Sequence, residues 1–168
     1  MFDSIDSIKQ AGFTGFHAVG ELMTSNCENI PRQKGVYLVL NPTFKKSFLP
    51  KSDGGFFKRT DPRDPKVSIS ELEHNWVHDA LVVYIGQSGG GKSKSDLRKR
   101  LRTYMKFGQG EFATHWGGRY IWQLEHNREL VVCYKTLSDA DPKETESDLI
   151  SSFKRKHNGK RPFANLQG

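Results

Sequence analysis

Two short runs, GVYLVLN at 35–41 and ALVVYIG at 80–86, constrain the fold of this chain more than anything else in it. Both are dense in apolar, β-branched and aromatic residues, the composition of strands. Pro42 stops the first, since proline has no N–H to give to a ladder. Residues 42–78, between the runs, are rich in Pro, Gly, Lys and Asp, with Phe44, Phe48, Phe56 and Phe57 among them. They read as a long insertion carrying a short helix around 69–78. Two further strand-like runs, RYIWQLE (119–125) and ELVVCYKTL (129–137), are separated by three residues, 126–128, which predicts a hairpin. Helices are expected from about Asp96 to Lys106, and from Asp139 or Asp141 with Pro142 to about Lys156, where Asn158-Gly159 ends the second. Residues 1–34 form a mixed N-terminal extension with a short helical candidate near 17–24 and a turn at Ile30-Pro31. The expected fold is mixed α/β of the α+β type, one domain over 1–168, with a small central antiparallel sheet flanked by helices. A length of 168 residues suits one such domain and its core.

The helices carry the first chemical signals. On the helix after the second strand, Leu97, Leu101, Tyr104 and Met105 make one apolar stripe. Lys99 and Lys106 point away from it, Arg98 and Arg102 lie on one flank, and Arg100 lies on the other flank beside Tyr104. Arg100 therefore sits where helix meets sheet and can reach a pocket at that seam. Lys92, Lys94, Arg98 and Arg102 read either as a solvated face or as phosphate contacts. On the last helix, steps of three, four and seven back from Leu149, Ile150 and Phe153 all arrive at Glu146. A carboxylate centred on a buried face needs a partner or a metal. The alternatives are a salt bridge to a core-facing Arg or Lys, or a stripe that begins only after Glu146.

A net charge of +7 and a pI near 9.4 suit a polyanionic partner, nucleic acid before an anionic membrane surface. The eleven Phe, five Tyr and three Trp argue against wholesale disorder. Cys27 and Cys133 form no CxxC pair, so no structural zinc site is suggested and both are expected reduced. The start, MFDSIDSIKQAGF, has acids and no long apolar run, unlike a signal peptide. No stretch has the apolar length to span a membrane. A cytoplasmic protein is expected.

Residues 86–93, Gly-Gln-Ser-Gly-Gly-Gly-Lys-Ser, match the phosphate-loop pattern GxxxxGK[ST] between a strand and a helix. A nucleotide-binding protein using Lys92 and Ser93 is thus one alternative. That fold needs a parallel sheet, whereas the residues that follow predict a hairpin, and no later strand ends in an Asp for magnesium.

Gly35-Val36-Tyr37 and Tyr84-Ile85-Gly86 resemble the two signature tripeptides of the GIY-YIG nucleases. LRKRLRTY at 97–104 resembles that family's following helix, with Arg100 at its essential arginine; Glu146-Ser147-Asp148-Leu149-Ile150 resembles the helix of its metal-binding glutamate. Pro162-Phe163-Ala164-Asn165 resembles its terminal segment, and the order holds from about residue 33 to the C-terminus. The resemblance implies a three-stranded antiparallel sheet with helices, and hydrolysis of DNA phosphodiesters with one divalent metal, Mg²⁺ or Mn²⁺. It gives Tyr37 the part of general base or proton relay, and Tyr84 that of positioning the water or phosphate. Arg100 stabilises the phosphate, Glu146 holds the metal, and Asn165 orders the last segment. A free tyrosine is a poor base at neutral pH, so a cation beside Tyr37 is expected. Departures from the family pattern are the 42–78 insertion, a longer loop from Tyr84 to Arg100, and Gln87 where a lysine often follows. Tyr104 stands where homing and restriction members often carry His.

The segment His115-Trp116-Gly117-Gly118-Arg119-Tyr120 interleaves aromatics with basic groups, which suits a Trp-anchored turn into a hairpin first and contact with nucleic acid second. It adds His115 and Arg119 to the candidates, with Gln87 and Tyr104 as auxiliaries. A DNA-binding module that keeps the fold without cutting is the second functional expectation. Duplex symmetry invites a homodimer.

Overall fold

In a computed structural model of the chain, residues 1–56, 63–112 and 117–167 are described. Four strands, β1 (Thr14–Ala18), β2 (Gly35–Leu40), β3 (Val82–Ser88) and β4 (Val131–Thr136), form one sheet in the order β1-β4-β2-β3. Every neighbouring pair is antiparallel. Five helices surround it: α1 (Ile5–Gln10), α2 (Val19–Thr24), α3 (Ile69–Asn75), α4 (Leu97–Phe107) and α5 (Pro142–Lys156). The expected α+β architecture is therefore present.

The central strand explains the three layers. β2 is buried at every residue, so its alternate side chains must enter two cores. Val36, Leu38 and Leu40 join Ile8, Ile85, Ile150 and Phe153 beneath α1 and α5. Tyr37 and Val39 join Leu22, Leu97, Leu101 and Tyr104 beneath α2 and α4. The stripes anticipated on both long helices are the buried ones. Their starts are capped by Asp96, which accepts from the Lys99 amide, and by Asp141, which accepts from Lys143 and Glu144 ahead of Pro142.

One part of the extension and one expected strand turn out differently. β1 adds a fourth strand on the outer edge of β4, with an irregular register between Thr14 and His17. Residues 119–125 are not half of a hairpin. Arg119–Gln123 is a 3-10 helix entered through Gly118, whose φ is 77°, and Leu124 makes only a single bridge to Phe48. The physical reason lies in the edges. β4 is already paired by β1 on one side and β2 on the other. The outer edge of β3 is taken by the terminal segment, where the Ala164 amide donates to the Val83 carbonyl at 2.9 Å.

The described parts of the 42–78 insertion are tied down. Leu49 and Asp53 donate backbone bonds to the carbonyls of Gln123 and Trp122, both at 2.8 Å. The buried side chain of Gln123 accepts from the Val67 amide at 2.9 Å and donates to the Val67 carbonyl at 3.0 Å. One glutamine thus clasps the far limb of the insertion to the 3-10 segment. No helix among the described residues is long and apolar enough to cross a membrane.

Candidate active site

Along β3, where the helices of the two layers meet beyond the sheet edge, lies a cleft of about 1360 Å³. Tyr84, Arg100, Glu146 and Asn165 all line it. They arrive from β3, α4, α5 and the terminal segment. Six Lys or Arg residues line it against two glutamates, so its field favours anions.

Tyr37 is the exception. It is 0% exposed and does not reach the cleft wall, whereas Tyr84, 4% exposed, does. The two rings meet edge to face at 5.9 Å. Tyr37 lies opposite Gly86 in the β2–β3 register. A Cβ on Gly86 would stand 2.4 Å from Tyr37 Cζ and 2.5 Å from its Oη. The glycine of the second tripeptide is therefore the space into which the tyrosine of the first folds.

Burial, and then the neighbouring Tyr37 phenol, push Tyr84 well above the usual tyrosine range. At neutral pH it is a neutral hydroxyl that can donate. Arg100 is held above its ordinary range, chiefly by Tyr37 and against the cost of its own burial. These groups are close enough to act on one another. Even so, Tyr37 Oη and Arg100 Nε are both enclosed without a well-formed hydrogen bond. An enclosed polar atom with no partner costs about 1–3 kcal/mol, and such atoms are retained where a ligand or reaction uses them.

Glu146 is half-buried on the same stripe of α5 as Ile150 and Phe153. Burial raises its carboxyl to about 6, opposed by Arg100 and Lys143. It makes no hydrogen bond or salt bridge among the described residues. The core salt bridge weighed as an alternative is thus not formed. A magnesium ion at a phosphate uses one or two carboxylates with substrate and water oxygens rather than a cage of protein ligands. Glu146 offers one such carboxylate, and no group of three or more His, Cys, Asp or Glu suited to a metal exists among the described residues. The donor set fits an ion shared with a phosphate substrate and does not fit a structural metal.

Asn165 spends its amide on the backbone of Ile85, accepting from its N–H at 2.9 Å and donating to its carbonyl at 2.8 Å. It positions the strand that carries Tyr84 rather than meeting a substrate. Tyr104 is likewise engaged, donating to the Gly118 carbonyl at 2.7 Å and packing against Tyr84 at 5.9 Å. Gln87 accepts from the Gly90 amide at 3.1 Å and shapes the loop.

The expected phosphate contacts divide. Arg119 lines the cleft, its guanidinium 5.1 Å from the Tyr120 ring. Arg98 and Arg102 donate instead to the carbonyls of Ile30 and Asn26, at 2.6 and 3.1 Å, and bind the extension to α4. Lys92 and Lys94 are exposed on the Gly/Ser/Lys loop, away from the cleft lining. His115 lies outside the described residues. The cations that do line the cleft were missed as candidates: Lys143 and Lys154 on α5, and Lys160 and Arg161 after it. The signal was available, because Lys143, Glu146, Ile150 and Lys154 follow one helical stripe.

The nucleotide-loop alternative meets three obstacles. The sheet is antiparallel throughout. The Gly91 amide is given to the Asp141 carboxylate at 2.9 Å. The helix begins only at Leu97, with Asp96 occupying the place at its N-terminus where a phosphate would lie. Comparison with family models, with curated proteins and with solved structures finds no match to this chain.

Proposed function

We propose that the chain is a metal-dependent DNA endonuclease of the GIY-YIG kind, hydrolysing phosphodiester bonds in the basic cleft. The observation that carries this reading is the meeting of Tyr84, Arg100 and Glu146 on one anion-attracting wall, with the Tyr37 phenol enclosed directly behind. Composition alone does not demand that four separated segments bring these groups together.

In this reading Arg100 grips the phosphate that carries the scissile bond and stabilises the charge that grows on its oxygens. Its guanidinium is largely buried beside Tyr37 and Tyr84 before any substrate arrives. Tyr84, a neutral phenol on the wall, donates to the phosphate or holds the attacking water. Tyr37, shut off from the cleft, packs edge to face on Tyr84 beside Arg100 and orients these two groups rather than meeting the water itself. Glu146 would hold Mg²⁺ or Mn²⁺, which when bound supplies positive charge to the phosphate and the leaving oxygen. Lys143 and Arg119 add sequence-independent attraction for the DNA backbone.

The test is cleavage of a supercoiled plasmid in Mg²⁺ and Mn²⁺, beside an EDTA control and Arg100→Ala. Cleavage that depends on metal and on Arg100 supports the reading. Cleavage unchanged in Arg100→Ala contradicts it.

One observation favours a second reading. Tyr37 is fully enclosed, which suits a module that keeps the fold and binds DNA without cutting it. Salt-sensitive DNA binding with no cleavage in either metal is its signature.

A further inference from the structure

The 42–78 insertion contributes a wall to the cleft. Glu71, His74 and Asn75 all line it. Their i, i+3, i+4 spacing makes them one face of α3, while Leu72 and the capping residue Trp76 are buried in the core behind. This polar face, exposed at Glu71 and His74 and half-buried at Asn75, borders the cleft and is open to a ligand within it.

That face differs in chemistry from the rest of the lining. The six cations come from α4, the 3-10 segment, α5 and the residues after it; α3 supplies an acid, an imidazole and an amide. The acid is held in place. Tyr120 donates its hydroxyl to Glu71, and burial and Glu71 push that phenol up to about 12, so it stays a donor. The Tyr120 ring packs on Phe163 at 5.6 Å, and Phe163 packs on Trp76 of α3 at 5.0 Å. Asn75 is anchored through its Nδ2 to the Glu71 carbonyl at 2.8 Å, which leaves its side-chain oxygen as an acceptor.

A fixed carboxylate is out of place in a surface meant only for backbone phosphates, which it repels. It suits the N–H groups of a nucleobase, as do amide and imidazole groups. A duplex also offers base N–H groups in its major groove, but the Watson–Crick edge opens only where the strand is unpaired or splayed, and a base taken into a cleft must leave the stack. We propose that the α3 face of the insertion is a nucleoside-recognition subsite, which takes an unpaired nucleotide beside the phosphate held by Arg100 and so directs the protein to single-stranded or flapped DNA. This deepens the nuclease reading and rests on the same cleft.

The experiment measures binding, so that it does not depend on cutting. Fluorescently labelled single-stranded DNA, a duplex of the same sequence, and that duplex with a single-stranded flap are titrated with the full chain in EDTA, by anisotropy. The parent is expected to bind the single strand and the flap about tenfold more tightly than the duplex, the discrimination one good base contact provides. Glu71→Gln, which keeps an acceptor for Tyr120, and the double variant His74→Ala/Asn75→Ala are each expected to shrink that ratio to about twofold or less. Lys160→Ala, a phosphate contact, should weaken all three substrates alike and keep the ratio. Equal affinity of the parent for all three, or a ratio that survives in both α3 variants, overturns the proposal. Unpaired-strand preference that depends on α3, in a protein that cuts none of these substrates in Mg²⁺ or Mn²⁺, would sink the nuclease reading and leave this one standing.

Discussion

Gly86 serves the fold and the cleft together, whereas the fold carries Glu146 at a cost. Alanine at 86 would drive its Cβ into the rigid, enclosed Tyr37 ring. Overpacking of this kind costs about 1–3 kcal/mol, so Gly86→Ala is expected to lower the urea midpoint and to abolish cleavage together. Glu146→Gln should behave in the opposite way. It removes a half-buried charge that the fold disfavours, so the melting temperature in EDTA at pH 7.5 is expected to equal or exceed the parent's. A marked fall would show that Glu146 is a structural partner instead. At this scale Arg100 and Glu146 were legible from helical faces alone, because each departs from an otherwise apolar or solvent-facing pattern. The enclosure of Tyr37 was not legible, since it depends on the strand opposite and on Gly86 within it.

Elements were readable in proportion to how much they bury in a regular pattern. β2, β3, β4, α4 and α5 declared themselves by apolar runs or stripes and by their caps. β1 did not, being a bulged edge strand, TGFHA, with no fully buried residue. Residues 119–125 misled because Tyr, Ile and Trp favour strands, yet Tyr120, Ile121, Trp122 and Gln123 are buried in succession inside a 3-10 turn. Both edges of β4 were already paired, so they had no place beside it. Arg98 and Arg102 carry a related lesson, for a basic helix flank that reads as a solvated face or as phosphate contacts also ties α4 to the extension through one nitrogen of each side chain. Arg98→Ala is accordingly expected to cost about 1 kcal/mol of stability or somewhat more, the worth of a bond from a charged donor. Its effect on the salt dependence of DNA binding should be nil; a slope reduced by about one would return Arg98 to the DNA surface.

The whole molecule adds charge and pH behaviour. With a net charge of +7 and six cations in one cleft, DNA affinity should fall steeply with salt. The double variant Lys143→Ala/Lys160→Ala is expected to flatten the log–log slope by about two, measured by anisotropy between low and physiological salt. His126 is buried with Nε2 3.2 Å from Asn41 Oδ1, and burial holds it below the usual histidine range. The unfolded chain therefore takes up a proton that the folded one refuses. Stability from this residue is full above about pH 6.5 and is lost as pH falls toward the depressed folded value. Glu146 works in the opposite sense over the same acid range, being raised by its fold. The check is thus a difference, and His126→Asn should lose less stability than the parent between pH 7.5 and 5.5 in urea unfolding. The central claim, that this cleft is a metal-dependent nuclease site, is tested most directly by the rate of plasmid cleavage in Mg²⁺ by Glu146→Gln beside the parent, both shown to be folded. A cutting parent and a folded variant slower by at least about a hundredfold, the scale of a lost transition-state contact, is the result expected. Equal rates in the two proteins would contradict the account.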